Sequence, residues 1–265
     1  MASIQFNGSP VYYEQAGQGK PVILLHGFGE NGKIWDHQKA HLAASYRLLI
    51  PDLPGSGQSP LSSEDHSLED HAELINQLAQ HEFGTGKFVL IGHSMGGYIS
   101  LAFAAKFGEQ LNALGLFHSS AFADSEEKIA TRKKAIDFIQ KNGADAFLKN
   151  TIPNLFSDFT KENHPGLIED LIDLSSGMNP QALISYYKAM INRPDTTDVL
   201  KQLNKPVLFL IGKEDTAVPL SDSLKQCSMP AIAAIHILQQ TGHVGMWEKK
   251  DLSNKYLEDF LSNFV

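Results

Sequence analysis

The segment that constrains this chain most is Lys87-Phe-Val-Leu-Ile-Gly92-His93-Ser94-Met95-Gly96-Gly97, where an apolar run passes through a glycine-flanked serine into a second apolar stretch. A continuous apolar run such as Phe88 to Ile91 suits a strand of a parallel sheet covered on both faces, and Tyr98 to Phe107 has the small and apolar residues of a buried helix. Ser94 then falls on the tight turn between them, where the backbone is driven into an unfavourable conformation and the hydroxyl projects from the sheet. Gly92 and Gly96 remove side chains that would collide at such a turn.

The rest of the chain supports this unit. Ser3 to Phe6 and Val11 to Glu14 flank Asn7-Gly8-Ser9-Pro10 and predict a hairpin at one sheet edge. Val22 to Leu25 reads as a strand ending at His26-Gly27-Phe28-Gly29. A short helix over Ile34 to Leu42 follows, then a strand over Arg47 to Ile50 and a turn-rich loop from Pro51 to Ser59. Ser67-Leu-Glu-Asp70 resembles a capping box, with aspartate in the glutamate position, opening a helix that carries Ala72, Ile75, Leu78 and Ala79 on one face. Leu111 to Phe117 is the sixth strand. Strands and helices thus alternate as in βαβ units, which predicts a mostly parallel sheet flanked by helices, an α/β fold.

From Ala121 to Asp195 the rhythm changes. Ile129 to Ile139, Leu167 to Leu174 and Ala182 to Ile191 read as helices, the last started by Asn179-Pro180, and no strand pattern intervenes. This predicts a helical cap over residues 121–195, inserted after the sixth strand, on a core made of residues 1–120 and 196–265. The sheet rhythm resumes at Pro206 to Ile211 and Ala234 to Leu238, and a terminal helix spans Lys249 to Phe264.

Composition narrows the partners. A formal net charge of −8 over 265 residues, without a basic run interleaved with aromatics, argues against nucleic acid. No apolar run is long enough to span a bilayer, and the first residues lack the charged and apolar regions of a secretory signal. Cys227 is the single cysteine, so no intramolecular disulfide forms, and a cytoplasmic protein is expected. No cofactor or metal is expected. The oligomeric state is left open.

A serine hydroxyl is a poor nucleophile near neutral pH, so Ser94 needs a base and a group that orients the base. Among 11 histidines, His243 is best placed, in a short glycine-containing loop after the last strand. His26 and His118 also end strands and are alternatives that could line the pocket, whereas His93 reads as a packing residue of the turn. Asp215, just beyond the strand at Pro206 to Ile211, is the leading orienting acid. Glu214 and Asp124 are alternatives, and Asp52 reads as a loop-stabilising residue. The backbone N–H groups of Met95 and Phe28 are candidate donors to a developing oxyanion.

Taken together, His26-Gly-Phe-Gly29, Asp52-Leu-Pro-Gly-Ser-Gly-Gln-Ser59, Gly92 to Gly97, Ile211-Gly-Lys-Glu-Asp215 and Gly242-His243 resemble the α/β-hydrolase fold superfamily, in its small cap-bearing serine hydrolases. The resemblance implies Ser94, Asp215 and His243 as a catalytic triad, Phe28 and Met95 as oxyanion-hole positions, and hydrolysis of a small-molecule carboxylic ester. Thioester or carbon–carbon bond hydrolysis on the same triad is an alternative, as is, in another class, a ligand-binding protein on a hydrolase scaffold. Serine at the turn argues against the dehalogenase-like and epoxide-hydrolase-like branches, which attack with aspartate. The cap, expected to set the substrate, matches nothing sharply.

Overall fold

The computed structural model describes residues 1–63 and 65–264. Its eight strands are β1 (Ala2–Phe6), β2 (Ser9–Ala16), β3 (Lys20–Leu25), β4 (Tyr46–Pro51), β5 (Phe88–His93), β6 (Leu111–Phe117), β7 (Val207–Gly212) and β8 (Ala233–Leu238). They form one sheet in the order β1-β2-β4-β3-β5-β6-β7-β8, with β1–β2 and β2–β4 antiparallel and the other pairs parallel. The expected hairpin closes through Asn7 and Gly8, both at positive φ (49° and 78°), the conformation a two-residue turn needs to match strand twist.

The apolar strand runs are explained by cover on both faces. Along β3, Val22 and Leu24 pack into one core and Ile23 and Leu25 into the other, all fully buried. One face is covered by α1 (Asp36–Leu42) and, at the end of the chain, by the helix Lys250–Phe264 through Leu257, Phe260 and Leu261. The opposite face is covered by α2 (Leu68–Phe83) and α3 (Met95–Phe107). The capping box of α2 forms with aspartate: Ser67 Oγ accepts from Asp70 N, and Asp70 Oδ2 accepts from Ser67 N.

Between β6 and β7 come α4 (Glu126–Asn142), α5 (Ala144–Thr151), α6 (Asp158–Asn163), α7 (Gly166–Leu174), α8 (Pro180–Asn192) and α9 (Thr197–Gln202). The three patterned helices of the sequence correspond to α4, α7 and α8, and Asn179 caps α8 by accepting from Gln181 N. The short α5 and α6 carry no long periodic signal and were not expected. After β7 come α10 (Leu220–Gln226), α11 (Gly245–Glu248) and α12, the terminal helix. No helix among the described residues is long and apolar enough to cross a membrane.

The sheet order decides where a site can form. The chain runs from β3 outward to β4, then jumps back past β3 to β5. The loops leaving β3 and β5 therefore diverge at adjacent carboxyl ends, the switch point at which open α/β sheets bind ligands.

Candidate active site

Ser94 follows β5 at that switch point with φ 51° and ψ −115°, an unfavourable conformation for a residue with a Cβ. Neighbours hold it there: Ser94 N donates to Phe117 O at 3.0 Å, and Ser94 O accepts from Ser119 Oγ at 2.8 Å and Gly97 N at 2.9 Å. A Cβ on Gly92 would run into the backbone of Gly96 and Gly97, and one on Gly96 would lie 2.6 Å from Leu25 O, so helix, turn and β3 approach closely only through glycine.

The structure brings the three expected polar side chains together. His243 Nε2 lies 2.8 Å from Ser94 Oγ, and His243 Nδ1 lies 2.8 Å from Asp215 Oδ2. Asp215 Oδ1 accepts from Ala217 N at 2.8 Å and Val218 N at 2.9 Å. Burial alone would raise the Asp215 pKa, but the adjoining His243 and the hydrogen bond from His118 bring it well below the usual carboxylate range. A charged Asp215 favours the proton on His243 Nδ1 and leaves Nε2 as the acceptor facing Ser94.

None of the alternatives contacts Ser94 Oγ. His26 and His118 are buried and do not line the pocket, contrary to the expectation that they could. His26 Nε2 accepts from Leu53 N at 3.0 Å. His118 Nδ1 is 3.3 Å from Asp215 Oδ2 and Nε2 is 3.1 Å from Gly245 N; burial lowers its pKa to about 4, so near neutral pH it is an uncharged second prop for Asp215. Asp124 is drawn to Arg132 and Arg193, with Arg132 Nε at 2.6 Å and Arg193 Nη1 at 2.8 Å. Glu214 Oε2 accepts from Asp158 N at 3.3 Å. Asp52 ties its loop to Gly32 N and Gln58 N, the stabilising part read from the sequence.

His93 does more than pack. Its Nδ1 lies 3.0 Å from Glu30 Oε2 and its Nε2 donates to the backbone oxygen of His243 at 2.8 Å. Burial disfavours the charged ring, yet the Glu30 charge and hydrogen bond outweigh this and raise the His93 pKa; Glu30 is correspondingly lowered. Glu30 Oε2 also accepts from Gly27 N at 2.7 Å. One buried ion pair thus ties the loop after β3, the turn after β5 and the loop bearing His243. The sequence hid this contact, because its partners lie 63 and 150 residues apart.

The backbone of His243 is held from the other side as well, its N–H donating to Leu155 O at 2.6 Å. Glu248 joins the same segments: Oε1 accepts from Gly242 N, and Oε2 accepts from Ser157 N and from the Ser157 and Thr160 hydroxyls.

Met95 N is the first N–H of α3 and has no partner within its helix. Among the described residues neither it nor Phe28 N is engaged by another group. The Phe28 ring stacks on Tyr187 of α8 at 4.2 Å. A cavity of about 500 Å³ opens at Ser94 and His243, bordered on the core side by Phe28 and Val218 and from above by Leu148, Leu155, Tyr187 and Met190. Of the aromatic residues between β6 and β7, Phe147 and Phe156 lie in the apolar core, and the Tyr186 hydroxyl is bound to Pro54 O and Ser56 Oγ.

Ring nitrogens of His118 and His243 and an oxygen of Asp215 lie within 4.8 Å, a spacing open to a cation. The proton between His243 and Asp215 would have to leave for a metal to bind there. His37 and His41 stand four residues apart on α1, a helical metal-ligand spacing, which corrects the expectation that the histidines show no such pairing. His41 Nε2 pairs with Glu258 at 2.9 Å, and His37 packs against Trp247.

A family model described as the alpha/beta hydrolase fold matches residues 20–250. A 2-hydroxy-6-oxo-6-phenylhexa-2,4-dienoate hydrolase of Burkholderia cepacia is 28% identical over 96% of this chain and 91% of that protein. A pimeloyl-[acyl-carrier protein] methyl ester esterase of Vibrio atlanticus (strain LGP32) is 27% identical over 79% of this chain and 82% of its own. Among solved structures, a thermophilic esterase from Thermogutta terrifontis with malate bound superposes with a TM-score of 0.92 at 29% identity, covering 97% of this chain and 94% of that one.

Proposed function

The chain belongs to the α/β-hydrolase fold family and is a hydrolase, and from that premise we propose that it cleaves small-molecule carboxylic esters through Ser94, His243 and Asp215. The observation that carries this reading is the unbroken chain of two 2.8 Å contacts from Ser94 Oγ through the His243 ring to Asp215.

In the first half-reaction His243 Nε2 takes the Ser94 proton as Oγ adds to the ester carbonyl, and Asp215 stabilises the imidazolium that forms. The oxyanion is received by the N–H groups of Phe28 and Met95; one such donor is typically worth about 3 kcal/mol in the transition state. His243 then gives its proton to the departing alkoxide, leaving an acyl ester on Ser94. Water enters, His243 takes one of its protons, and collapse of the second tetrahedral species returns the proton to Ser94 and releases the acid. Residues 121–195 act as a cap on a core of residues 1–120 and 196–265, and through Leu148, Leu155, Tyr187 and Met190 the cap shapes the substrate pocket.

Ser94→Ala is expected to lose nearly all turnover of short p-nitrophenyl esters and all labelling by a fluorophosphonate. Retention of most activity removes Ser94 from this role. The similarity over nearly the whole chain to a dienoate hydrolase supports a second reading, carbon–carbon bond hydrolysis by the same three residues. Turnover of a 2-hydroxy-6-oxo-dienoate that exceeds ester turnover would favour it.

A further inference from the structure

The cavity at Ser94 has a second polar border that acyl transfer does not use. Arg132 and Lys128 of α4 line it together with Tyr98 of α3. Behind them lies Asp124, whose side chain is fully buried, and Arg193, whose guanidinium lies 4.0 Å over the Tyr98 ring. Around this one carboxylate stand three cations: Arg132 and Arg193 in direct contact and Lys128 at 3.9 Å.

Either arginine alone would balance Asp124, so the cluster carries an excess of positive charge next to the cavity. The other acids bordering the cavity are spoken for or peripheral. Glu30 is bound to His93 and Asp222 to Lys225, and Glu127 is solvent-exposed. The donor inventory shows the same imbalance. Arg132 directs Nε and Nη2 at Asp124, while its Nη1 has no partner among the described residues. The Tyr98 hydroxyl also has none, although the residue is only 4% exposed. Burial would raise the Tyr98 pKa, but the charges of Arg193, Lys128 and Arg132 outweigh it and lower it, as expected beside this cluster.

We propose that this wall is a carboxylate subsite, so that the substrate is an ester carrying a free carboxylate, gripped by Arg132, Lys128 and the Tyr98 hydroxyl while its ester group lies at Ser94. The proposal rests on the ester-hydrolase reading above and names its substrate class. A guanidinium with a free edge matches a carboxylate geometrically. A wholly neutral ester, once it has displaced water, would leave Nη1 of Arg132 and the Tyr98 hydroxyl facing apolar atoms.

Two matched ester pairs test this: monomethyl glutarate against methyl pentanoate, with the charge on the acyl side, and carboxymethyl butyrate against ethyl butyrate, with it on the alcohol side. The charged member of at least one pair is expected to have a kcat/KM about tenfold or more above its neutral mate, the scale of one charge-assisted contact in a partly buried site. Lys128→Gln and Arg132→Gln should each pull that ratio towards one. Lys128 is partly exposed, so its variant carries the test if the loss of Arg132 impairs folding. No preference in either pair, or a preference that survives both substitutions, overturns the proposal. Calorimetric titration of the Ser94→Ala protein with glutarate separates the subsite from the ester chemistry. Saturable binding weakened by Lys128→Gln supports the subsite even if no ester is turned over, and absence of binding counts against it.

Discussion

Glu30 is a single carboxylate whose removal would be felt in three loops. Glu30→Gln keeps the shape of the side chain but removes the charge that holds the proton on His93, and breaking a buried ion pair from one side costs about 3 kcal/mol. The pH dependence follows from both shifts. His93 is raised above its ordinary 6.5, so its contribution is complete below that value and is lost as pH rises through the higher folded value. Glu30 is lowered from 4.5, so its contribution is present above that value and is lost only as pH falls through the lower folded one. The stability deficit of Glu30→Gln, measured by urea denaturation, is therefore expected to be larger at pH 6 than at pH 9. Equal deficits would mean that the pair is not ionised. The sequence made Ser94, Asp215 and His243 legible because each follows an apolar strand and each has a chemical reason to seek the others. Glu30 gave no such signal, although it stands three residues after Gly27 in the loop that it pins. Asp124, Lys128 and Arg132 are spaced by four residues, a pattern that points to mutual contact but not to which of them faces a cavity.

At the scale of elements, the turn after β5 holds because β5, α3 and β3 meet through glycine. In Gly92→Ala the new methyl would press on the backbone of Gly96, which cannot retreat because Leu25 O and His26 O lie behind it. Overpacking of this kind costs about 1–3 kcal/mol, or roughly 2–4 °C in Tm per kcal/mol for a chain of this size. Thermal unfolding and kcat should fall together, since the same displacement moves Ser94; an unchanged Tm with unchanged kcat would contradict the packing argument. The strands and long helices were readable because burial on both faces writes continuous apolar runs, and a capped amphipathic face writes a period. Helices α5 and α6 escaped because eight and six residues give too few turns for a period to stand out. Their helicity comes from tertiary contacts, such as Phe147 and Leu148 in the core.

For the whole molecule, the cavity between the sheet and the helices that follow β6 is the feature that sequence patterns could not outline. Its walls come from eight separated stretches of chain. Met190 is 2% exposed and borders it. Met190→Ala should lengthen the space available to an acyl chain, at roughly 2 kcal/mol or more of stability. Each added methylene that gains burial is worth about 0.8 kcal/mol, so the octanoate-to-butyrate ratio of kcat/KM is expected to rise about tenfold or more. A ratio that stays constant would place the acyl chain elsewhere.

The bond from His243 N–H to Leu155 O, with Glu248 joining Gly242 to Ser157 and Thr160, bears on how such a chain can be rebuilt. The segment over residues 155–160 is at once part of the cavity wall and part of the mount of His243, the proposed proton carrier. A chimera that imports the helices of a relative to change selectivity must therefore keep, or replace in kind, a carbonyl at 155 and hydroxyls at 157 and 160. Splice points placed on either side of that segment would exchange the cavity wall while leaving His243 on its original footing.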